Sequence, residues 1–333
     1  MKATLGSPRL HTAAILVATV VLLWLFLRGV NLGEIAESVR SASPAPILWS
    51  LVAIMATYLI RAIRWQGLLL PLGRAGLWNC FSATVIGFMV NFLAPGRLGE
   101  IARPYIVARQ EGFSATSAFA TILLERMLDL VMVVFFVAFW LLLGPKRSRS
   151  DELIKALELG GLLGLGFGAF ALASMFLFAR YPERSMAFAG RFLRWLPRRL
   201  ESRVAGFLDT FRDGLGVLIR GAGLLKALLM SAVLWFVICL SFWLAARALG
   251  VDYPFGDTFL VIGFLTVGVA LPTPGAIGGY HYMCSLALTT LFGVAPSPAA
   301  AVALVAHAIS FLPVTILGIL LFVKAGLTVG ELK

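Results

Sequence analysis

Three ionisable residues stand close together inside a strongly apolar run, Glu125, Arg126 and Asp129 within Ser114–Leu143. Read as a helix, Glu125 and Asp129 share a face (i, i+4), and Arg126 reaches Asp129 (i, i+3). Glu125 lies eleven residues past Ser114. At ~1.5 Å per residue that is about 16 Å along the helix, near the middle of a ~30 Å hydrocarbon core. An ionisable residue there costs about 2.5–3.5 kcal/mol on insertion scales, so each needs a partner. Two roles fit. Either the cluster pins its helix to a neighbour, for example through Arg97 or Arg103, or it holds a polar headgroup or a proton. His307 falls at matching depth downstream, ten residues after Ser297. It reads as a hydrogen-bonded core histidine or as a proton relay opposite the carboxylates, its pKa of ~6.5 being easily moved across neutrality.

A second chemical feature precedes the cluster. Asn91–Tyr105 reads N-F-L-A-P-G-R-L-G-E-I-A-R-P-Y and breaks an apolar run at Pro95-Gly96. Proline removes a donor and glycine frees the backbone, so the helix stops there. A half-helix starting after the break aims unpaired N–H groups and its positive dipole end inward. With Arg97 and Arg103 nearby, this is an anion receptor suited to phosphate. Structural pairing of the same arginines with buried carboxylates is the competing reading. A related turn occurs downstream, Ala270–Tyr282, with Pro274, Gly275, Gly278, Gly279, Tyr280 and His281. It offers backbone N–H groups without a cation.

The elements that must position these residues show a repeat. V-I-G-F occupies 85–88 and again 261–264, and a Pro-Gly pair follows each. Another glycine comes three residues later (Gly99, Gly278), and a serine (Ser114, Ser297) then opens a long apolar helix. Apolar segments interrupted by Gly and Pro at corresponding positions of two halves point to a transporter's central site. Residues 78–143 form the first unit and 255–324 the second.

Composition sets the class. The chain is 60% hydrophobic and 13% charged with mean hydropathy +0.94, against ~45–50% apolar for soluble domains. The expectation is an all-α polytopic membrane protein in one membrane domain, 1–333, with about six full spans and two re-entrant helical hairpins in an inverted repeat. The formal charge of +12 suits loops on an anionic leaflet, and no folded basic module is present to bind nucleic acid. Cys80, Cys239 and Cys284 make no metal spacing. No G-x-x-x-x-G-K-[ST] loop occurs, so direct use of ATP is not expected, nor is any cofactor.

In chain order, Lys2 and Arg9 precede a retained first span, His11–Leu27, and a polar connection runs from Asn31 to Ala45. The second span, Ile47 to Leu70, carries Arg61 and Arg64 on one face of its last turns, expected to snorkel to the interface. Residues 78–94 and 99–110 form the first hairpin, the latter too short and polar to span. A polar loop, Lys146–Lys155, leads to a span at 157–179 with Gly160, Gly164 and Gly168 at close-packing spacing. Residues 180–221 interleave Arg184, Arg191, Arg194, Arg198, Arg199 and Arg203 with Phe188, Trp195 and Phe207, an amphipathic segment lying on a leaflet. Spans at 223–249 and 297–323 bracket the second hairpin. The arginine-rich 180–221 segment belongs on the cytoplasmic side, which places both termini there too and sends the hairpins in from opposite faces.

The runs N-F-L-A-P-G-R-L-G-E-I-A-R-P-Y, T-I-L-L-E-R-M-L-D and P-T-P-G-A-I-G-G-Y resemble the flippase-like membrane family that includes the transmembrane region of bacterial lysylphosphatidylglycerol synthases. The resemblance covers nearly the whole chain. It implies movement of a lipid between leaflets of the inner (cytoplasmic) membrane, with Asn91, Pro95, Arg97, Gly99, Glu100, Arg103, Glu125, Arg126, Asp129 and the 272–279 turn along the path. The family's second repeat often carries an acidic residue after its glycines, where Tyr280 and His281 stand here. The soluble aminoacyl-transferase domain of the full synthases is absent from this sequence, so lysyl transfer is not expected. The resulting expectation is a flippase or transporter for an anionic or polyprenyl-type (glyco)lipid, not an enzyme, with membrane lipids and lipid-synthesis enzymes as partners. Glu125, Asp129 and His307 are its candidates for proton coupling. A membrane-embedded enzyme acting on a lipid phosphate and a non-catalytic partner of a lipid-synthesis complex are the alternatives.

Overall fold

The computed structural model describes residues 8–94, 97–144, 151–193, 195, 197–219, 221–271 and 273–326. The Pro95-Gly96 pair, Pro272, Pro145 and residues 146–150 of the expected Lys146–Lys155 loop lie outside them, as do Arg194 and Arg220. Among the described residues the regular structure is all helical, with no strand. The helices are α1 (Pro8–Leu27), α2 (Leu32–Arg40), α3 (Pro44–Leu69), α4 (Leu77–Leu93), α5 (Gly99–Glu111), α6 (Ala115–Leu143), α7 (Asp151–Arg180), α8 (Pro182–Leu193), α9 (Arg198–Gly214), α10 (Gly221–Ala248), α11 (Thr258–Ala270), α12 (Gly279–Phe292) and α13 (Pro296–Lys324). Among the described residues, five helices are long and apolar enough to cross a bilayer, and six if α1 and α2, bent by 78° at their junction, make one span. This is an all-α polytopic membrane fold.

Several expectations change locally. The Asn31–Ala45 connection is mostly helix α2. Asn31 caps it by accepting the Gly33 N–H at 2.8 Å, and Ile35 is buried where α2 packs on α13. The 180–221 segment is two helices, α8 and α9, followed by a 3-10 turn at Gly216–Ile219. Of the three spaced glycines in α7, Gly164 and Gly168 lie against Val134 and Val131 of α6, where an added Cβ would stand 2.9 Å from each valine. Gly160 meets nothing within 4 Å.

Side-chain contacts at helix ends show which termini lie together. Glu111, ending α5, accepts from the Gly76 N–H at 2.7 Å and from Asn79 at 2.8 Å, at the start of α4. α4 and α5 therefore form a hairpin opening where α6 begins. Tyr253, before α11, stacks on Phe292, ending α12, with ring centroids 4.6 Å apart. Trp140, near the end of α6, donates to Asp257 at 2.8 Å. The second hairpin, α11–α12, therefore opens at the other end of α6. The tips of the two hairpins meet between. Arg97 donates to the Val269 carbonyl at 2.6 Å, and a Cβ on Gly275 would lie 3.3 Å from the Phe92 carbonyl. At ~1.5 Å per residue, α4 rises about 26 Å and α11 about 20 Å, which end to end match the ~44 Å of α6.

Packing pairs follow an exchange of α3–α6 with α10–α13. α3 packs on α10, α4 on α13 as α11 on α6, α3 on α6 as α10 on α13, and α6 on α10 as α13 on α3. The backbone at the two tips agrees. Arg97 and Ala276 each follow a Pro-Gly pair, and both hold a left-handed φ of 56°, as no other described non-glycine residue does.

Candidate functional site: an arginine-lined cavity between the hairpin tips

The charged residues of α3, α5 and α6 form one buried network. Arg64, fully buried, places Nη1 2.6 Å from Asp129 Oδ1 and donates to Ser231 Oγ at 2.7 Å, while its Nη2 lies 3.4 Å from Glu125 Oε1. Arg103 grips Glu125 through two hydrogen bonds, 2.7 and 3.1 Å, and its guanidinium lies 4.0 Å over the Trp65 ring. Trp65 is fixed in turn by donating to Thr121 at 2.9 Å. Arg126 contacts Glu125, lies 3.3 Å from Asp129 Oδ2 and 3.8 Å from Glu100. Arg61 stands 3.6 Å from Asp129 Oδ2, its guanidinium over the Phe88 ring. Four guanidiniums thus face three carboxylates, leaving a positive excess inside the apolar bundle. Burial without pairing would be costly, and bidentate, stacked arginine geometry is what makes such a network tolerable.

Beside this network lies a cavity of about 410 Å³, bounded by α3, α6, α10, α11, α13 and both hairpin tips. Arg61, Arg97, Arg126 and Asp129 are its charged lining; Tyr280, His307, Thr266 and Ser310 are among its neutral polar groups. Arg61 Nη1 and Arg126 Nε are buried and make no hydrogen bond. An unmet buried donor loses its water without replacement, which favours any anion able to reach it.

The residues proposed from sequence separate into four groups, the last being Pro274 and His281 at the second tip. Arg97, Arg126, Asp129, Gly275, Tyr280 and His307 line the cavity. Glu100, Arg103 and Glu125 belong to the network behind it. Asn91, Gly99, Gly278 and Gly279 serve close approach: a Cβ on Gly99 would fall 1.8 Å from the Gly87 carbonyl and 2.7 Å from Asn91 Oδ1. Likewise a Cβ on Gly279 would fall 2.5 Å from the Gly268 carbonyl, and one on Gly278 would fall 2.9 Å from Leu22 of α1. Pro274 opens the 3-10 turn at the second tip. His281 is buried there, with Nδ1 3.4 Å from the Gly278 N–H and its ring 4.5 Å from that of His307. His307 Nε2 lies 2.8 Å from the Gly275 carbonyl, holding this tip to α13.

Arg61 and Arg64 correct the interface reading. Both are buried, 8% and 1% exposed, and reach inward to carboxylates on α6 rather than out to headgroups. Their signal was present in the sequence. The insertion cost that demands partners for Glu125 and Asp129 demands the same for two arginines three residues apart in an apolar helix. Tyr58, Trp235, Thr266 and Ser310 carried no such signal. Among the described residues no group of three or more His, Cys, Asp or Glu is placed to hold a metal ion.

Residues 12–318 match the family described as the lysylphosphatidylglycerol synthase TM region. The chain belongs to that family. Similar proteins include the glycosyltransferase AglD of Haloferax volcanii, 26% identical over 93% of this chain; the chain spans 53% of the length of that relative. A UPF0104 membrane protein of Methanothermobacter thermautotrophicus is 24% identical over 96% of this chain and 98% of its own. Another, from Methanocaldococcus jannaschii, is 23% identical over 87% of both. Nearly the whole bundle, including both hairpins and the cavity, thus falls within the lysylphosphatidylglycerol synthase TM region family.

Proposed function

We propose that this protein moves an anionic or polyprenyl-type lipid or glycolipid between leaflets by alternating access, its headgroup passing through the cavity between the hairpin tips. The observation that carries this reading is the lining: three guanidiniums against one carboxylate, with two buried donors unmet, at the point where the two halves touch. Family membership supports it. The hairpins are then re-entrant, entering from opposite faces as an inverted repeat does. The end where α6 begins, bearing α8 and α9 with Arg184, Arg191 and Arg203, faces the cytoplasm. Asp129 and His307, which line the cavity from different helices, are the proton-coupling candidates that touch it. Glu125 serves the network behind.

The test is transfer of an anionic lipid, labelled in one leaflet, in vesicles containing the purified protein. Arg126 is the part-exposed member of the network, so Arg126→Gln is the least disruptive charge removal. A hydrogen bond to a charged group contributes about 1.5–3 kcal/mol. The expected result is roughly ten- to hundredfold slower transfer, with the variant still folded. Transfer at the unaltered rate removes the cavity from the path. Turnover of the lipid into a new product instead points to an enzyme, the activity named for the larger AglD relative.

A further inference from the structure

We infer that the cavity selects a lipid phosphate bearing a neutral polyol, glycerol or a sugar, and discriminates against one bearing an amine. The inference rests on the transport reading above and adds the chemistry of the headgroup. One wall is cationic: Arg61 and Arg126 line it, their Nη1 and Nε buried without a hydrogen bond though 3.6 Å from Asp129 and 3.8 Å from Glu100, and Arg97 adds a third guanidinium at the first tip. Phosphate oxygens match that wall. Three of the neutral polar groups have the opposite character. Thr266 donates its hydroxyl proton to the Ile262 carbonyl at 2.8 Å, and Ser310 donates to the Ala306 carbonyl at 2.9 Å. His307 Nε2 faces the Gly275 carbonyl at 2.8 Å. A carbonyl only accepts, so Nε2 carries the proton and Nδ1 is left as an acceptor. With their donors engaged, these three part-buried groups offer lone pairs, and a ligand must bring O–H or N–H groups to meet them.

Charge decides between those two donors. The single carboxylate in the lining, Asp129, accepts from Arg64 and from Trp235 (3.2 Å) on Oδ1. Its Oδ2 makes no hydrogen bond, yet it sits 3.6 Å from Arg61 and 3.3 Å from Arg126. An ammonium approaching it meets two guanidiniums. Hydroxyls meet the same acceptors without that repulsion, so a polyol fits where an aminoacyl or ethanolamine head does not.

The experiment is lipid binding to the purified protein in detergent, read by native mass spectrometry. The probes are phosphatidylglycerol, phosphatidic acid, lysylphosphatidylglycerol and an uncharged diglycosyl diacylglycerol. Phosphatidylglycerol is expected to bind at least about fivefold more tightly than each of the other three, one net hydrogen bond corresponding to roughly that factor. The double substitution Thr266→Val with Ser310→Ala is expected to erase the preference over phosphatidic acid while leaving both bound. Equal binding of phosphatidylglycerol and phosphatidic acid by the unaltered protein would overturn the polyol assignment and leave anion transport standing. Lysylphosphatidylglycerol bound as tightly as phosphatidylglycerol would overturn the exclusion of amines. Failure of phosphatidylglycerol and phosphatidic acid to bind above the uncharged lipid would overturn this inference and the role of the arginine wall in holding a phosphate.

Discussion

Arg64 illustrates how a single residue ties chemistry to packing. Its guanidinium touches carboxylates one turn apart on α6 and a serine of α10, so α3, α6 and α10 share one charge centre. Removing one partner of a buried pair strands the others, at about 3–5 kcal/mol. Arg64→Ala is therefore expected to lower the thermal midpoint in detergent sharply, while Arg126→Gln, at a 28% exposed side chain, lowers it little. Midpoints that fall equally would show that the two arginines are structurally equivalent. At this scale the carboxylates and Arg126 were legible in the sequence because charge in an apolar run is conspicuous. The division of labour between Arg97 and Arg103 was not. Both precede α6 at similar depth, and their fates depend on which way the backbone turns at the first tip. Arg97, held at positive φ, reaches across to α11. Arg103, a turn into α5, faces Trp65 and Glu125.

The helices depend on glycine where hairpin arms cross. The Gly87–Gly99 contact lets α4 and α5 approach backbone to backbone, and Gly268–Gly279 does the same for α11 and α12. Such close approach is how helices pack where lipid gives no hydrophobic drive. Gly99→Ala would force its methyl into the Gly87 carbonyl, so the hairpin must splay. The expected outcome is loss of folded protein or of transport, with Gly160→Ala, which meets open space, as the silent control. A folded, fully active Gly99→Ala protein would mean that α5 is free to shift. The same logic joins α9 to α6: a Cβ on Gly214 would stand 2.0 Å from the Ser117 carbonyl, beside the Ser117–Thr210 hydrogen bond of 2.8 Å. Gly214→Ala is expected to detach this amphipathic helix from the bundle and raise protease cleavage within 198–214. The breaks themselves were readable from Pro and Gly. The crossing partners were not, because Gly87 and Gly268 look like ordinary apolar-run glycines until the second arm is in place.

Across the whole molecule, the two hairpins opening at opposite ends of α6 and touching at their tips make a topology that can be tested without knowing the lipid. Cys80, Cys239 and Cys284 are buried, so the native protein should give little background with a membrane-impermeant thiol reagent. A cysteine at Arg74, before α4, and one at Gln110, ending α5, should react from one side of sealed vesicles. Cysteines at Asp252 and Val294, flanking the second hairpin, should react only from the other. This much also holds for hairpins that cross completely, since those return to the side they left. The tips separate the cases. Leu98 at the first tip and Ile277 at the second are part-exposed, 49% and 37%, and in a re-entrant arrangement both stay within the membrane. Cysteine at Leu98 should then resist reagent from the side opposite Arg74, and cysteine at Ile277 from the side opposite Asp252. Labelling of either tip from that opposite side would mean a full crossing. It would also place the arginine-lined cavity near one surface rather than between the two, and a site at the surface cannot serve both leaflets in turn.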